Sequence, residues 1–198
     1  KHRRIIFNGD NYTDEWVAEA KRRGLLNLAS TAEALPHFSD KKNIELFRRH
    51  KIFTESEIYS RRDILLDNYN KVIMIEAATM LDMAKKDILP ACLAYERALA
   101  ETAAAKKAVG LSVDDSAEAV LLRKIDALCT ELTERIANTE ALREKAKTIK
   151  ELTPKARFVC DEVHSSMSAL RAVADELEDT VAAEYWPFPT YRDLLFSV

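Results

Sequence analysis

The sequence predicts an all-α protein: a long central helix, an antiparallel three-helix coiled-coil-like bundle, and short N-terminal helices. Glycine and proline are scarce, at 3 and 5 among 198 residues, which leaves few turns. The stretch 54–110 contains one proline, Pro90, and no glycine before Gly110. Within that stretch apolar residues recur at steps of three and four, the spacing of one helical face. These observations together favour helices throughout.

Residues 1–53 are predicted to form short helices and turns that wrap the base of the larger body. Thr13 is expected to cap a helix that ends at Gly24, since acidic residues fill its first turn and basic residues its last. Further short helices are expected after a capping box that begins at Ser30 and again from Asp40. The inward face of the first helix is predicted to carry Trp16, Val17 and Ala20.

Residues 54–184 are predicted to form the three-helix unit. Its long helix begins at a Thr54–Glu57 capping box and ends at Gly110, which can adopt the left-handed conformation of a helix end. At 1.5 Å per residue this helix would be about 80 Å long, too long for the interior of a small globule. Other helices, or protein outside this chain, must therefore cover its apolar stripe, which comprises Leu65, Tyr69, Val72, Met80, Ala84, Ile88, Ala91, Tyr95 and Leu99.

Two further helices are predicted to return along the C-terminal part of the long helix, because short connections make helices antiparallel neighbours. Asp114 and Asp115 are placed to cap the first, and Thr153-Pro154 starts the second. Thr139, with Arg135, is the weak point of the first helix's heptad-like seam. That seam comprises Leu121, Ile125, Leu128, Leu132, Ile136, Leu142, Ala146 and Ile149. The seam of the second comprises Val163, Met167, Leu170, Ala174, Leu177 and Val181.

Residues 185–198 differ in character, with two prolines and several aromatic side chains before a final Leu-Leu-Phe. This composition indicates an anchor that packs on other elements, and we expect it beside the N-terminal pieces near the base of the bundle. The three segments are predicted to form one structural unit.

Charge and cysteine content limit the classes of partner and the cellular location that the sequence predicts. The net charge is −3; residues 1–51 carry 11 basic and 7 acidic residues, and residues 52–198 carry 19 and 26. Nucleic-acid motifs are missing and no apolar run approaches a membrane span, so neither partner is predicted. Cys92, Cys129 and Cys160 are odd in number and widely spaced, which indicates reduced thiols in a cytoplasmic protein. The sequence starts at Lys1 rather than Met, and we expect a piece of a longer protein.

Two small groups of residues have side chains that could carry chemistry. Cys160, Asp161 and His164 share a helical face, but a single Asp-x-x-His falls short of a paired di-metal site, and ordinary surface positions are favoured. Glu76 and Asp82 lie in an apolar part of the long helix, where a carboxylate could act as a general acid or base. We favour instead that these carboxylates pair with a lysine or meet a neighbouring domain; the available lysines are Lys71, Lys85 and Lys86.

The remaining feature of the long helix is a set of methionines, Met74, Met80 and Met83. Such flexible side chains favour packing against a large partner over a cofactor site. We therefore expect the region from Val72 to Leu93 to expose an apolar surface, through which the isolated chain should self-associate. Sequence motifs of nucleotide, nucleophile or zinc chemistry are missing, so no catalytic, cofactor-binding or metal residue is predicted.

Several blocks of unusual composition resemble the C-terminal region of type III glutamine synthetases. The matches are collinear over nearly the whole chain, although residues 111–157 resemble the family only as generic helix. One departure is the turn at Asn11-Tyr12, where the family pattern has glycine before the tyrosine. The matching blocks are residues 4–16, 29–36, 42–47, 75–84, 88–91, 186–191 and 193–196.

The resemblance implies a parent enzyme that makes glutamine from glutamate, ammonia and ATP with Mg²⁺ or Mn²⁺, assembled as a homo-oligomeric ring. The family's ligands for metal and nucleotide belong to a catalytic body upstream of these residues. The resemblance thus implies a non-catalytic C-terminal domain that docks on the catalytic body of the same chain and contacts other subunits, and that is inactive alone. The alternative is a free-standing helical scaffold or adaptor.

Overall fold

The structure, a computed structural model, describes residues 2–3, 6, 8–189 and 191–196, with the backbone alone at 191, 192 and 196. Across these residues the chain is helical and forms no strand, which confirms the predicted all-α class. Part of the predicted N-terminal segment, residues 1, 4, 5 and 7, lies outside the described residues. Contacts divide the chain into two compact units, unit 1 (Lys1–Tyr69) and unit 2 (Asn70–Val198). The division into segments at residues 53 and 184 stays a prediction.

Unit 1 contains the predicted short helices. Ser30 and Glu33 form the expected capping box, with each side chain bonded to the other's backbone amide. Thr13 is the N-cap residue of the first helix, as predicted, although its hydroxyl donates to the carbonyl of Asp10 and accepts no amide of that helix. Val17, predicted to face inward, is 45% exposed. The helices are α1 (Asp14–Arg22), α2 (Thr31–Phe38), α3 (Lys41–Arg49) and the first part of α4 (Glu55–Met83).

Aromatic side chains fill the middle of unit 1. The ring of Phe47 lies 5.6 Å from Phe38 and 5.5 Å from Phe53, centroid to centroid. The guanidinium of Arg61 stacks 4.4 Å from the centroid of Phe53, an arrangement in which the ring face attracts the cation. This cluster holds α2, α3 and the start of α4 together.

The long helix starts and stops as predicted. The Thr54 amide donates to the Glu57 carboxylate, the Glu57 amide donates to the Thr54 hydroxyl, and Gly110 has φ +83°. Between these ends a π-helical turn, Ala84–Ile88, separates α4 from α5 (Leu89–Ala108). The turn lies just before Pro90, whose missing N–H cannot enter an α-helical ladder, and the Leu89 amide bonds five residues back to the Ala84 carbonyl.

The covered face of the long helix differs from the predicted one. Ala84, Ile88 and Leu99 are buried as expected, but Leu65 and Val72 are exposed. The buried face of α4 is shifted and includes the small or polar Asn70 and Ala77, together with Ile58, Leu66 and Leu81. Counting large apolar residues overlooks this face, because a small side chain allows a close neighbouring helix and a buried amide is stable once it is hydrogen-bonded.

The returning helices of unit 2 have the predicted apolar seams. All six seam residues of the second returning segment, from Val163 to Val181, are buried. That segment consists of α7 (Leu152–Phe158), a second π-helical turn (Val159–His164) and α8 (Ser165–Thr180), whereas one unbroken helix was expected. The first returning helix is α6 (Ala117–Thr148).

The predicted caps of these helices are wrong. Ser116, rather than Asp114 or Asp115, caps α6, because its hydroxyl accepts the Ala119 amide. Glu151, rather than Thr153, is the N-cap of α7.

The core of unit 2 lies between α5, α6 and α8. Its largest fully buried side chains include Ile125, Leu132, Leu170 and Leu177. The tail packs against this core through Tyr185, Trp186 and Phe188, and the Tyr185 ring lies 5.2 Å from that of Tyr95. Residues 185–188 are thus an anchor on unit 2, as their composition indicates; the coiled-coil character of the bundle and the packing of the tail on N-terminal pieces stay predictions.

Candidate functional site

An apolar groove of about 570 Å³ lies on unit 2 between α4 and α8. The long helix contributes one wall, from Ile75 through the π-helical turn, and α8 contributes the floor. Trp186 and Phe188 form the third side, with ring centroids 6.3 Å apart in an edge-to-face arrangement. We call this feature the α4–α8 groove.

Three methionines line the groove, Met80 and Met83 on the long helix and Met167 on α8. Met167 is buried, whereas Met83 is partly open to solvent. Unbranched, polarizable methionine side chains adapt to differently shaped apolar surfaces. The groove is therefore suited to an apolar partner, and two of the methionines singled out from the sequence lie in it.

Charged residues at the groove are mostly acidic. Glu76, Asp175 and Glu178 line it on the two helices, together with one cation, Arg171. Arg171 Nε lies 3.3 Å from Asp175 Oδ2, and both side chains are exposed. With Arg171 paired to Asp175, the charge that remains on the rim is that of Glu76 and Glu178.

The wall formed by the tail holds an unusual donor. The indole Nε1 of Trp186 is buried and has no hydrogen-bond acceptor in the structure. A buried donor without an acceptor is costly, because it loses its bonds to water without replacement.

A second polar cluster lies inside the unit 2 core. The thiols of Cys92 on α5 and Cys129 on α6 hydrogen-bond to each other, and the Glu96 carboxyl contacts Cys129. The hydrogen bond with Cys92, followed by burial, raises the pKa of Cys129. Burial, with the Asp126 carboxylate nearby, raises the pKa of Glu96. The Cys129 thiol is therefore held protonated and unreactive, whereas the same hydrogen bond lowers the pKa of Cys92.

The sequence offered no sign of this pair, because Cys92 and Cys129 are far apart in the chain and meet only through the packing of α5 on α6. All three cysteines, including the half-buried Cys160, carry free thiols.

The other residues for which the sequence raised metal or acid–base chemistry lie apart from one another on the surface of unit 2. Asp161 and His164 are exposed at the second π-helical turn. Asp82 pairs with Lys86, as favoured, and Lys85 pairs with Glu140 of α6. Within the described part of the chain, no group of three or more His, Cys, Asp or Glu side chains is arranged to hold a metal ion.

Among the described helices, none combines the length with the apolar character that a membrane span requires.

Comparison with known proteins shows the family. A family model described as the glutamine synthetase C-terminal domain matches residues 1–107. The chain is 39% identical over 198 residues to a glutamine synthetase of Butyrivibrio fibrisolvens. It is 34% identical to a type-3 glutamine synthetase of Dictyostelium discoideum and 30% identical to a glutamine synthetase of Bacteroides fragilis (strain YCH46).

These alignments include 98–100% of this chain but only 27–28% of each relative. The chain thus spans little more than a quarter of the length of the proteins it matches. The resemblance read from the short sequence blocks is confirmed, and the chain belongs to the glutamine synthetase C-terminal domain family.

Proposed function

We propose that this chain is the non-catalytic C-terminal domain of a type III glutamine synthetase, which docks on the catalytic body of the same polypeptide and contacts other subunits of a homo-oligomeric ring. The parent would join ammonia to glutamate with hydrolysis of ATP. The coverage of the relatives supports this proposal, since nearly three quarters of their length lies outside the aligned region.

The observation that carries the docking role is the exposed apolar surface of the long helix. Ile75 is 64% exposed and Leu93 is 50% exposed, and Val72 and Met83 also face solvent. The α4–α8 groove opens beside Ile75 and Met83. Large exposed apolar patches are typical of sites covered by another protein surface, and these side chains lie in the region where the methionines predicted a large partner.

The described residues of this chain do not fit the parent's metal. Mg²⁺ and Mn²⁺ prefer carboxylate and other oxygen ligands gathered at one point, whereas the acidic side chains of the described helices do not converge on a metal position. The catalytic centre, with its ATP and metal ligands, would therefore lie in the remainder of the parent. The free thiols support a reducing, cytoplasmic location.

The test is reconstitution from two separately produced parts, this chain and the portion of the parent that precedes it. We expect the two parts to form a complex by analytical ultracentrifugation, and we expect this chain alone to give no ATP-dependent glutamine formation. Activity of the isolated chain would overturn the non-catalytic assignment. Failure of the parts to associate would favour the free-standing scaffold or adaptor instead.

A further inference from the structure

We infer that the α4–α8 groove is the seat for an amphipathic helix with lysine or arginine beside its apolar face, supplied by the rest of the glutamine synthetase polypeptide. The inference rests on the proposed docking role and names the kind of element that docks.

The length and shape of the groove fit a helix. Its lining runs from Ile75 to Ile88 on one side and from Met167 to Glu178 on the other. At 1.5 Å per residue these stretches are about 20 and 16 Å long, which matches about three helical turns. A helix in such a groove would insert side chains spaced three and four residues apart between the two supporting helices.

The side chains that line the groove can adapt to apolar faces of different shape. Met80, Met83 and Met167 can rearrange around different side chains, while Trp186 and Phe188 offer a rigid wall of large contact area. The floor is firm, because Leu170 and Ala174 of α8 are buried in the unit 2 core.

The charges at the rim of the groove favour an occupant of one charge sign. Glu76 on one side and Glu178 on the other are exposed and acidic, whereas the single cation, Arg171, is already paired with Asp175. Complementary charges at a rim steer association and disfavour wrong partners. A basic helix is therefore favoured, while a fatty acid or an anionic lipid would place its negative group against carboxylates.

The source of the helix follows from the length of the relatives. The aligned region is 27–28% of each relative, so the parent offers a large body of chain outside this structure to cover the groove. The basic helix α3 is less available for this role, because its Phe47 packs between Phe38 and Phe53 within unit 1.

The first measurement titrates the chain with a 14-residue helical peptide of leucine and lysine. A Trp16→Phe background leaves Trp186, on the groove wall, as the single tryptophan reporter. We expect a blue shift of its emission and at least tenfold tighter binding than that of a leucine–glutamate analogue. Equal or preferred binding of the acidic analogue would overturn the inference.

The second measurement reverses the rim in the double variant Glu76→Lys/Glu178→Lys. We expect at least tenfold weaker binding of the basic peptide and of the complex with the separately produced remainder of the parent. The matched control is Asp115→Lys/Glu134→Lys, which changes the net charge equally at exposed positions outside the groove lining. The control should weaken either interaction less than twofold.

The outcomes separate the inference from the proposed function. A complex that forms normally with the rim reversed overturns the inference and leaves docking intact. No complex with the unaltered chain overturns the docking role, and the inference with it. Self-association that the rim variant abolishes would make a second copy of this chain the occupant, which also overturns the inference.

Discussion

The long helix of unit 2 has a buried side and an exposed side, and the two differ in how completely their apolar side chains are covered. Toward α6 and α8, the long helix and its neighbours bury Cys92, Ile125, Leu132 and Leu177 almost completely. On the groove side, the same long helix leaves large apolar side chains open, with Ile75 the most exposed of them. A packed side contributes to the stability of the isolated chain, whereas an open side gains its free energy only when something covers it. The difference separates residues that hold the fold from residues that we propose to bind the rest of the parent.

The largest expected effect comes from a charge placed in the packed side. Leu128 is buried in the α6 seam, and Leu128→Asp would bury an unpaired carboxylate there. We expect a loss of more than about 4 kcal/mol, enough to unfold unit 2. Circular dichroism during urea unfolding would measure this loss.

Hydrogen exchange of the unit 1 amides is the companion readout, because residues 1–53 are expected to keep their helices in this variant. Simultaneous loss of protection in both units would mean that the chain unfolds as one cooperative body.

The same chemical change on the open side should affect binding and not folding. Ile75→Asp alters a side chain that is mostly in water, so we expect the free energy of unfolding to change by less than about 0.5 kcal/mol. Association with the remainder of the parent should weaken at least tenfold, because the charge would be desolvated on docking. Sedimentation would measure the association and urea unfolding the stability. Strong destabilisation by Ile75→Asp would show that the open side is part of the core.

The contrast between the two sides also explains what could be predicted from the sequence. The α8 seam was predicted residue by residue, because its heptad-like spacing leaves one apolar stripe to bury. The long helix has more than one apolar stripe, and the covered one passes through Asn70 and Ala77. The Asn70 amide nitrogen donates to the Leu152 carbonyl at 3.3 Å, a partner 82 residues away that local periodicity does not reveal, while its Oδ1 is buried without a partner.

The groove was beyond sequence reasoning for a related reason. Met80 and Met83 indicated a partner surface. The groove forms only because Trp186 and Phe188 of the tail pack on unit 2 and line it together with these methionines. The π-helical turn before Pro90 also changes which side chains of the long helix share a face after Ala84. Neither effect can be read from spacing, since each depends on how distant segments pack.

Acid should weaken the packed side at the junction of α5 and α6. Lys106 Nζ lies 2.8 Å from a carboxylate oxygen of Glu118, and the hydrogen bond from Lys106 lowers the pKa of Glu118 to about 2. Because the folded-state pKa lies below the unfolded value of about 4.3, this interaction stabilises the fold above that pH. The stabilisation is lost as the pH falls from about 4.3 toward 2.

Glu118→Gln removes the titrating group, so we expect its thermal midpoint to fall less steeply than that of the unaltered chain between pH 4.5 and 2. The control is Glu134→Gln on the exposed surface of the same helix, which should follow the unaltered chain. Identical pH profiles for all three proteins would show that the Lys106–Glu118 pair contributes nothing to acid stability.

The smallest expected effect concerns a polar group buried among the apolar side chains of the packed side. Thr139 on α6 is fully buried, and its hydroxyl has no hydrogen-bond partner in the structure. Thr139→Val keeps the shape of the side chain and removes the unsatisfied hydroxyl, so we expect a gain of about 1 kcal/mol in the free energy of unfolding. The matched control is Thr133→Val, since the Thr133 hydroxyl donates to the Cys129 carbonyl at 2.9 Å. Urea unfolding should show no gain for the control, and a loss of stability in Thr139→Val would mean that the hydroxyl is bonded after all.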